Sequence, residues 1–195
     1  MKVAVINGSP KGEISVTVQY IKFIQNKLPQ HEFKLINVAH DILKLEKDKA
    51  AFQAVIDEIR NADGVIWAFP LYVFLVASQY KRFIELIGEN GAEGAFRDKY
   101  ACVLSTSIHF YDHTAHNYMR GICDDLGMKY TEFFSADMDD IFLENPRRML
   151  LKWVGDFLAA IEKKQPAARK YPALVHSSFK YKAGQGKGQE DNSGL

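Results

Sequence analysis

The chain has 195 residues, with 25 Lys plus Arg against 24 Asp plus Glu, and 47% of its residues are hydrophobic. This length fits one domain, and the composition supports a sizeable core without cross-links. The net charge of +1 argues against a nucleic-acid partner, since such proteins usually carry a large basic excess. The balance is nevertheless uneven, because residues 1–162 hold 18 basic and 22 acidic side chains while residues 163–195 hold 7 and 2.

Two cysteines, Cys102 and Cys123, are too few for a disulfide framework or for a four-cysteine metal site within one chain. The apolar run at the amino terminus is too short for a signal peptide. The longest apolar stretch, residues 64–77, is interrupted by Pro70 and is too short to span a bilayer. We therefore expect a cytoplasmic protein without a membrane partner.

Short apolar runs alternate along the chain with segments of helical periodicity. The runs predict strands at residues 2–7, 32–38, 64–69, 100–105 and 130–135. Helical stripes lie within residues 15–28, 52–59, 80–87, 119–126 and 145–161, and the last helix is expected to have Asn145 as its N-cap. This alternation predicts an α/β fold with a five-stranded parallel sheet, doubly wound with helices on both faces.

The helical pattern ends near Lys164. We expect one domain over residues 1–164 and an extension over residues 165–195 that forms an arm or linker. Residues 171–179 keep some apolar content and are a candidate docking arm, while the polar, Gly-rich end from residue 183 is typical of disorder.

Ligands of such sheets bind at the carboxyl ends of the strands, so the segments after Asn7, Phe69 and Ser105 are the candidate site. The first of these segments runs directly into a helix, and it combines Gly8 with hydroxyl groups that could bind a phosphate at the helix N-terminus. It lacks the glycine and lysine spacing of a P-loop or a dinucleotide fingerprint. An ordinary loop with a serine or threonine capping the helix is the alternative.

The second segment, residues 70–77, is apolar and aromatic, which is unusual at the mouth of a parallel sheet unless something flat covers it. A flavin ring would do so, with Tyr72 or Phe74 packed against it. The alternative is that Phe74, Leu75 and Val76 pack in the core or in a dimer interface.

The third segment combines Ser105, Thr106 and Ser107 with His109, and its backbone and hydroxyl groups could bind the edge of a heterocycle. Its histidines lack the spacing of a zinc motif, so no metal site is expected. Both cysteines are expected to be buried core residues, and the acidic run at residues 137–140 is expected to be a solvated loop.

Two motifs together resemble the NADPH-dependent FMN reductase family, whose members have a flavodoxin-like fold. Gly8-Ser9-Pro10-Lys11 followed by Ser15-Val16-Thr17 resembles the family's phosphate loop. Pro70-Leu71-Tyr72 followed by residues 79–85 is similar to its flavin-ring loop and the next helix. The resemblance extends over about residues 1–162.

The resemblance implies which residues hold the cofactor. Ser9, Lys11, Ser15 and Thr17 would bind the FMN phosphate, with Val16 standing where relatives often carry a polar Asn. The ring would be lined by Pro70, Leu71, Tyr72, Val73 and Phe74, and residues 105–109, including Ser105, Thr106, Ser107 and His109, would close its other side. The chain has no compact cysteine motif, which argues against electron transfer through an iron–sulfur cluster.

The resemblance also implies the activity: an FMN-dependent oxidoreductase that transfers hydride from NADH or NADPH through FMN to a small acceptor such as a quinone or flavin. The protein would position the reactants, so no catalytic side chain is expected, and Tyr72 and His109 would shape the acceptor pocket. A homodimer is implied. The alternative is a flavodoxin-like electron-transfer module without its own substrate, which could be part of a longer redox protein; such carriers are usually more acidic than this domain.

Overall fold

A computed structural model describes residues 1–172 of the chain. Five strands alternate with six helices, and three short 3₁₀ turns lie in the connections. The strands are β1 (Lys2–Asn7), β2 (Glu32–Ile36), β3 (Gly64–Pro70), β4 (Tyr100–Ser107) and β5 (Lys129–Asp137). The helices are α1 (Val16–Lys27), α2 (Ile42–Lys47), α3 (Lys49–Arg60), α4 (Ser78–Glu89), α5 (Asp112–Asp125) and α6 (Glu144–Glu162).

The five strands form one parallel sheet in the order β2-β1-β3-β4-β5. The chain moves from β1 outward to β2 and then crosses back to β3, so the strand order reverses between β1 and β3. In a sheet of this order the reversal opens a crevice at the carboxyl ends of those two strands. The predicted fold class is confirmed.

Helices cover both faces of the sheet. On one face α1 and α6 pack through residues such as Tyr20, Ile24 and Phe157. On the other face α2, α3, α4 and α5 pack around Trp67, which is fully buried. Because both faces are covered, β3 and residues 100–104 of β4 are continuous apolar runs, as expected for strands without a solvent face.

An irregularity interrupts β5, which is an edge strand. Ala101 lies opposite Tyr130 and Val103 lies opposite Phe133, so β5 contains one residue more than β4 between the two pairs. This β-bulge bends the outer strand and changes its pairing from that point on.

Helices α6 and α2 differ from the sequence-based expectation. The predicted N-cap Asn145 is wrong, because α6 begins at Glu144 and Leu143 precedes it in an extended conformation. The Asn145 side chain instead accepts a hydrogen bond from Arg148 at 2.9 Å, and Pro146 is tolerated because the first turn needs no donor there. Helix α2 was not predicted, since its six residues are too few to show a helical period.

After α6 the extension runs from the start of β4 to α5, and its residues 165–168 line the groove along β5. The Tyr100 hydroxyl donates to the carbonyl oxygen of Gln165 at 2.8 Å. The backbone N–H groups of Lys170 and Tyr171 donate to Asp124 at 2.9 and 3.0 Å, which ties this segment to α5. The predictions for residues 173–195, including most of the candidate docking arm and the polar end, lie outside the described residues.

Candidate active site

A cavity of about 480 Å³ opens at the carboxyl ends of β1, β3 and β4. It is bounded by three connections: the first loop (residues 8–15), the second loop (residues 71–77) and the third loop (residues 108–111). A larger groove of about 730 Å³ lies along β5 between α5 and α6. We take the smaller cavity as the candidate site because it lies where the strand order reverses.

The lining combines residues from all three connections and from the segment after β5. They are Ser9, Lys11, Ile14, Ser15, Val16, Pro70, Leu71, Tyr72, Val73, Phe74, Thr106, Ser107, Ile108, Phe110 and Met138. Eleven of the fourteen predicted site residues are therefore brought together around one cavity. Lys11 is the charged residue among them, so the cavity carries a single positive charge next to an apolar surface.

The first loop is shaped by Asn7, a residue that the sequence analysis did not select. Its amide group donates to Asn37 at 2.9 Å and to the carbonyl oxygen of Gly12 at 3.3 Å, and its Oδ1 accepts from the backbone N–H of Ser9 at 3.0 Å. Gly12 adopts a left-handed conformation with φ +57°. The buried Asn7 side chain thus replaces the backbone partners that a strand would supply, and it holds the loop in a tight turn.

Gly8 begins this loop in close contact with Tyr80 on α4. A Cβ atom on Gly8 would lie 2.7 Å from two atoms of the Tyr80 ring. The ring is fully buried, and its hydroxyl donates to the carbonyl oxygen of Ile6 at 2.8 Å. A glycine is required here by the close approach of the ring.

Two serine hydroxyls keep a proton available for a ligand. Ser9 Oγ accepts from the backbone N–H of Lys11 at 3.3 Å, and Ser15 Oγ accepts from the N–H of Val18 at 3.3 Å as the N-cap of α1. Because each oxygen acts as an acceptor in these bonds, its own O–H is left to donate. Together with Lys11 and the N-terminus of α1, these donors favour an anionic group at this end of the cavity.

Thr17 is placed differently from the expectation. It is fully buried, and its hydroxyl forms a 2.6 Å hydrogen bond with the hydroxyl of Thr106 on β4. Thr17 therefore does not line the cavity but ties α1 to the end of β4 behind it. The sequence could not reveal this pair, since 89 residues separate the two threonines.

The second loop is a tight two-residue turn. Tyr72 and Leu75 exchange two backbone hydrogen bonds at 2.7 and 3.1 Å around Val73 and Phe74, which have φ values of +36° and +70°. Turns of this kind favour glycine or asparagine at both central positions, so a valine there is strained. The turn presents large apolar side chains to solvent, and Val73 is 83% exposed.

The third loop packs against the second. The Phe74 ring lies 5.7 Å from that of Phe110 and 5.0 Å from that of Tyr111. The single Thr114 hydroxyl proton lies within hydrogen-bond reach of the carbonyl oxygens of both Phe74 and Tyr111, which places the two loops side by side. The aromatic end of the cavity is therefore one continuous surface.

Ser105 and His109 do not line the cavity. The Ser105 hydroxyl is buried and lies 2.8 Å from Nε2 of His116. Burial lowers the pKa of His116 to about 4, so this histidine is neutral at neutral pH. The His109 ring is half-exposed and lies 3.2 Å from Asp112.

Three lining residues were not among those expected to contact the cofactor: Ile14, Phe110 and Met138. Ile108 lies within the expected range 105–109. Met138 follows β5 within the acidic run that was expected to be only a solvated loop. Position along the chain could have revealed the three, since each follows the carboxyl end of a strand. Cys102 and Cys123 are buried as expected, and burial raises the pKa of both thiols.

Neither a membrane helix nor a metal cluster is found over residues 1–172. None of the helices described there is long and apolar enough to cross a membrane. The same residues contain no group of three or more His, Cys, Asp or Glu side chains placed to hold a metal ion.

A parallel sheet in this order, with an anion-binding end and an aromatic end at the reversal between β1 and β3, defines a flavodoxin-like α/β protein. Residues 1–135 match the model of the NADPH-dependent FMN reductase family, and the chain belongs to that family. The predicted family is thereby confirmed; it is a family of oxidoreductases.

The individual relatives share only 20–28% sequence identity with this chain. An FMN-dependent NADH:quinone oxidoreductase of Vibrio parahaemolyticus is 28% identical over 130 residues, which span 57% of this chain and 66% of the relative, just under two thirds of its length. A solved NADH:FMN oxidoreductase in its apo form superposes with a TM-score of 0.68 at 20% identity, over 82% of this chain and 89% of that one. The NAD(P)H:(acceptor) oxidoreductase FerB of Paracoccus denitrificans gives 0.65 at 20% identity, over 83% and 97%.

Proposed function

We propose that the protein is an FMN-dependent NAD(P)H oxidoreductase that transfers hydride from a nicotinamide cofactor through FMN to a small acceptor, a quinone or a flavin. The observation that carries this proposal is the division of one cavity into two ends. One end has the donors Ser9, Lys11 and Ser15 beside a helix N-terminus, and the other has the aromatic surface of the second and third loops. A phosphate requires donors of the first kind, and a flat ring requires an aromatic surface of the second kind.

The residues present fit FMN. Lys11, the two serine hydroxyls and the N-terminus of α1, where Val16 lies, would hold the phosphate. Pro70, Leu71, Tyr72, Val73 and Phe74 would cover the ring on one side, with Thr106 and Ser107 on the other. Thr17, Ser105 and His109 would support these surfaces from behind.

When bound, the flavin supplies the hydride chemistry, so this chain needs no acid or base of its own. Leu71 donates its backbone N–H to Thr106 at 2.9 Å, which fixes the distance between the second loop and the end of β4. Tyr72 and Phe74 are about two-fifths exposed and would orient a flat acceptor at the mouth while excluding water. The side chains of the site would thus bind the flavin and orient the acceptor.

The binding test compares FMN with riboflavin, which lacks the phosphate, by fluorescence titration. Lys11→Ala should weaken FMN binding about tenfold and leave riboflavin binding unchanged, since only FMN carries the charge that Lys11 meets. Lys47→Ala, which removes an exposed lysine of α2, is the matched control. Equal FMN affinity of Lys11→Ala and wild type would place the phosphate elsewhere.

The activity test is steady-state turnover of the FMN-loaded protein with NADH or NADPH and a quinone. The proposed enzyme turns over faster than the same concentration of free FMN. FMN binding without such turnover would favour the electron-transfer module instead. Comparison of the two nicotinamides under the same conditions gives the preferred co-substrate.

The same proposal includes a homodimer. The exposed side chains of Tyr72, Val73, Phe74, Phe110 and Tyr111 form an apolar patch beside the cavity, and a second copy of the chain would cover it. Val73→Lys should lower the mass measured by light scattering from that of a dimer to that of a monomer.

A cytoplasmic location is also proposed, supported by two free buried cysteines, and cell fractionation tests it.

A further inference from the structure

The Asp112 carboxylate contacts the third loop and the two strands beside it, β4 and β5. Asp112 is the first residue of α5, and its side chain is 13% exposed. Its Oδ2 accepts a hydrogen bond from the Ser107 hydroxyl at 2.7 Å and another from the Ser135 hydroxyl, and it lies 3.2 Å from Nδ1 of His109. A single oxygen atom therefore joins the end of β4, the third loop and β5.

Ser107 connects Asp112 to the backbone of the third loop. Its hydroxyl donates to Asp112 and accepts from the backbone N–H of His109 at 2.9 Å. Both hydrogen-bonding functions of the Ser107 side chain are thereby used inside the protein. Ser107 lines the cavity, so it contributes a fixed surface there and has no free hydroxyl proton for a ligand.

The third loop needs these hydrogen bonds because its backbone is strained. His109 and Tyr111 are both left-handed, each with φ +57°, although neither is a glycine. A conformation of this kind costs on the order of 1 kcal/mol per residue and persists only when its surroundings impose it. Between the two lies Phe110, which lines the cavity, so the strain is located at the wall of the site.

Stability alone does not explain a carboxylate at this position. Asp112 Oδ1 is buried and has no hydrogen-bond partner among residues 1–172. A buried oxygen without a partner lowers stability, and such atoms in native proteins often serve a function. Burial raises the pKa of Asp112, but the hydrogen bonds from Ser135, Ser107 and His109 outweigh it and leave the pKa below its usual range. The group is thus an anion at neutral pH.

We propose that Asp112 is a positioning residue for the flat ring of the ligand, acting through Ser107 on the wall of the cavity formed by the third loop. This inference rests on the proposed function, because it assumes a ring at the aromatic end. Asp112 does not line the cavity itself. It is separate from Lys11 and the serine donors, so its influence is confined to the ring end.

The test distinguishes the phosphate end of the cavity from the ring end by comparing the binding of FMN with that of riboflavin. Asp112→Ala should raise the dissociation constants of FMN and riboflavin by the same factor, about tenfold, because both contain the ring. The ratio of the two constants, which measures the contribution of the phosphate, should stay at its wild-type value. Asp125→Ala removes an exposed carboxylate from the same helix and should change neither constant.

A double-mutant cycle shows whether Asp112 acts through Ser107. In the Ser107→Ala background, Asp112→Ala should weaken riboflavin binding less than about twofold, since the connection is already broken. Should Asp112→Ala fail to fold, Asp112→Asn keeps the shape and one oxygen acceptor, and it should weaken both ligands equally but by a smaller factor. Circular dichroism establishes that each variant is folded.

Three results would overturn the inference: unchanged constants in folded Asp112 variants, loss of affinity for FMN alone, or full additivity with Ser107→Ala. Failure of the proposed function looks different. In that case the wild-type protein itself binds neither FMN nor riboflavin, and the comparison of variants has no starting value.

Discussion

The contact between Gly8 and Tyr80 makes Gly8→Ala a sharp test of the structure. The added Cβ would lie 2.7 Å from Cδ1 and Cγ of the ring and 2.8 Å from Cδ2. Carbon atoms in contact are normally separated by about 3.5–4.0 Å, so the overlap amounts to almost 1 Å on three atoms at once. The backbone of Gly8 is not left-handed, so the expected cost is steric.

The ring has little room to move away. Its hydroxyl is held by Ile6, and Trp67 and Phe69 pack beside it with ring centroids 5.9 and 5.8 Å away. Overpacking of a buried site costs about 1–3 kcal/mol, and we expect Gly8→Ala to lower the free energy of unfolding by that amount. Urea-induced unfolding followed by tryptophan fluorescence measures it.

Gly155→Ala is the matched control. Gly155 lies in α6, and within residues 1–172 no atom outside the adjacent residues and the helix's own backbone lies within 4 Å of the position that an alanine methyl group would take there. Alanine should therefore stabilise that helix by about 0.5–1 kcal/mol. In a Tyr80→Ala background the cost of Gly8→Ala should largely disappear, because the obstructing ring is gone. A Gly8→Ala protein with the urea midpoint of wild type would refute the close packing of the first loop on α4.

Three further predictions concern the site and its surroundings. The pKa of His116 falls from an ordinary 6.5 to about 4, so the unfolded chain binds more protons between these values and stability is lost as the pH falls through this range. Wild type should lose on the order of 2 kcal/mol more than His116→Gln between pH 7 and pH 4 in urea titrations, and equal losses would contradict the burial. Val73→Gly should stabilise the protein by about 1 kcal/mol by relieving the left-handed valine, and a lower thermal midpoint would argue against that turn. Val16→Asn should strengthen FMN binding severalfold in the fluorescence titration, because it adds a donor at the N-terminus of α1, whereas weaker binding would show that Val16 packs on the ligand.

The strands could be predicted well because a parallel sheet covered on both faces requires continuous apolar runs. Residues 64–69 show this most clearly, and every residue of that run is buried. Helix α5 was predicted only from Met119 onward, although it starts at Asp112. Its first turns are polar because they hold the third loop, and an apolar stripe cannot reveal such residues.

The arrangement of the site was only partly accessible from the sequence. Residues close together in one loop, such as Ser9 and Lys11, could be found because their spacing is local. The pairing of Thr17 with Thr106 and of Asp112 with Ser135 depends on which strand lies beside which, and the sequence contains that information only through the whole fold. The sequence therefore reveals the polar residues that line the cavity more readily than the side chains that support them.

The extra residue in β5 has a consequence for how the molecule meets its own copies. An exposed strand edge of regular geometry can pair with another edge and build an open-ended stack of sheets. The displaced register after Tyr130 and the local twist of a bulge interrupt the row of N–H and C=O groups that such stacking needs. Pairing of two copies through the edge of β5 is thereby disfavoured, which leaves the loops at the carboxyl ends of the strands as the contact surface for the proposed homodimer.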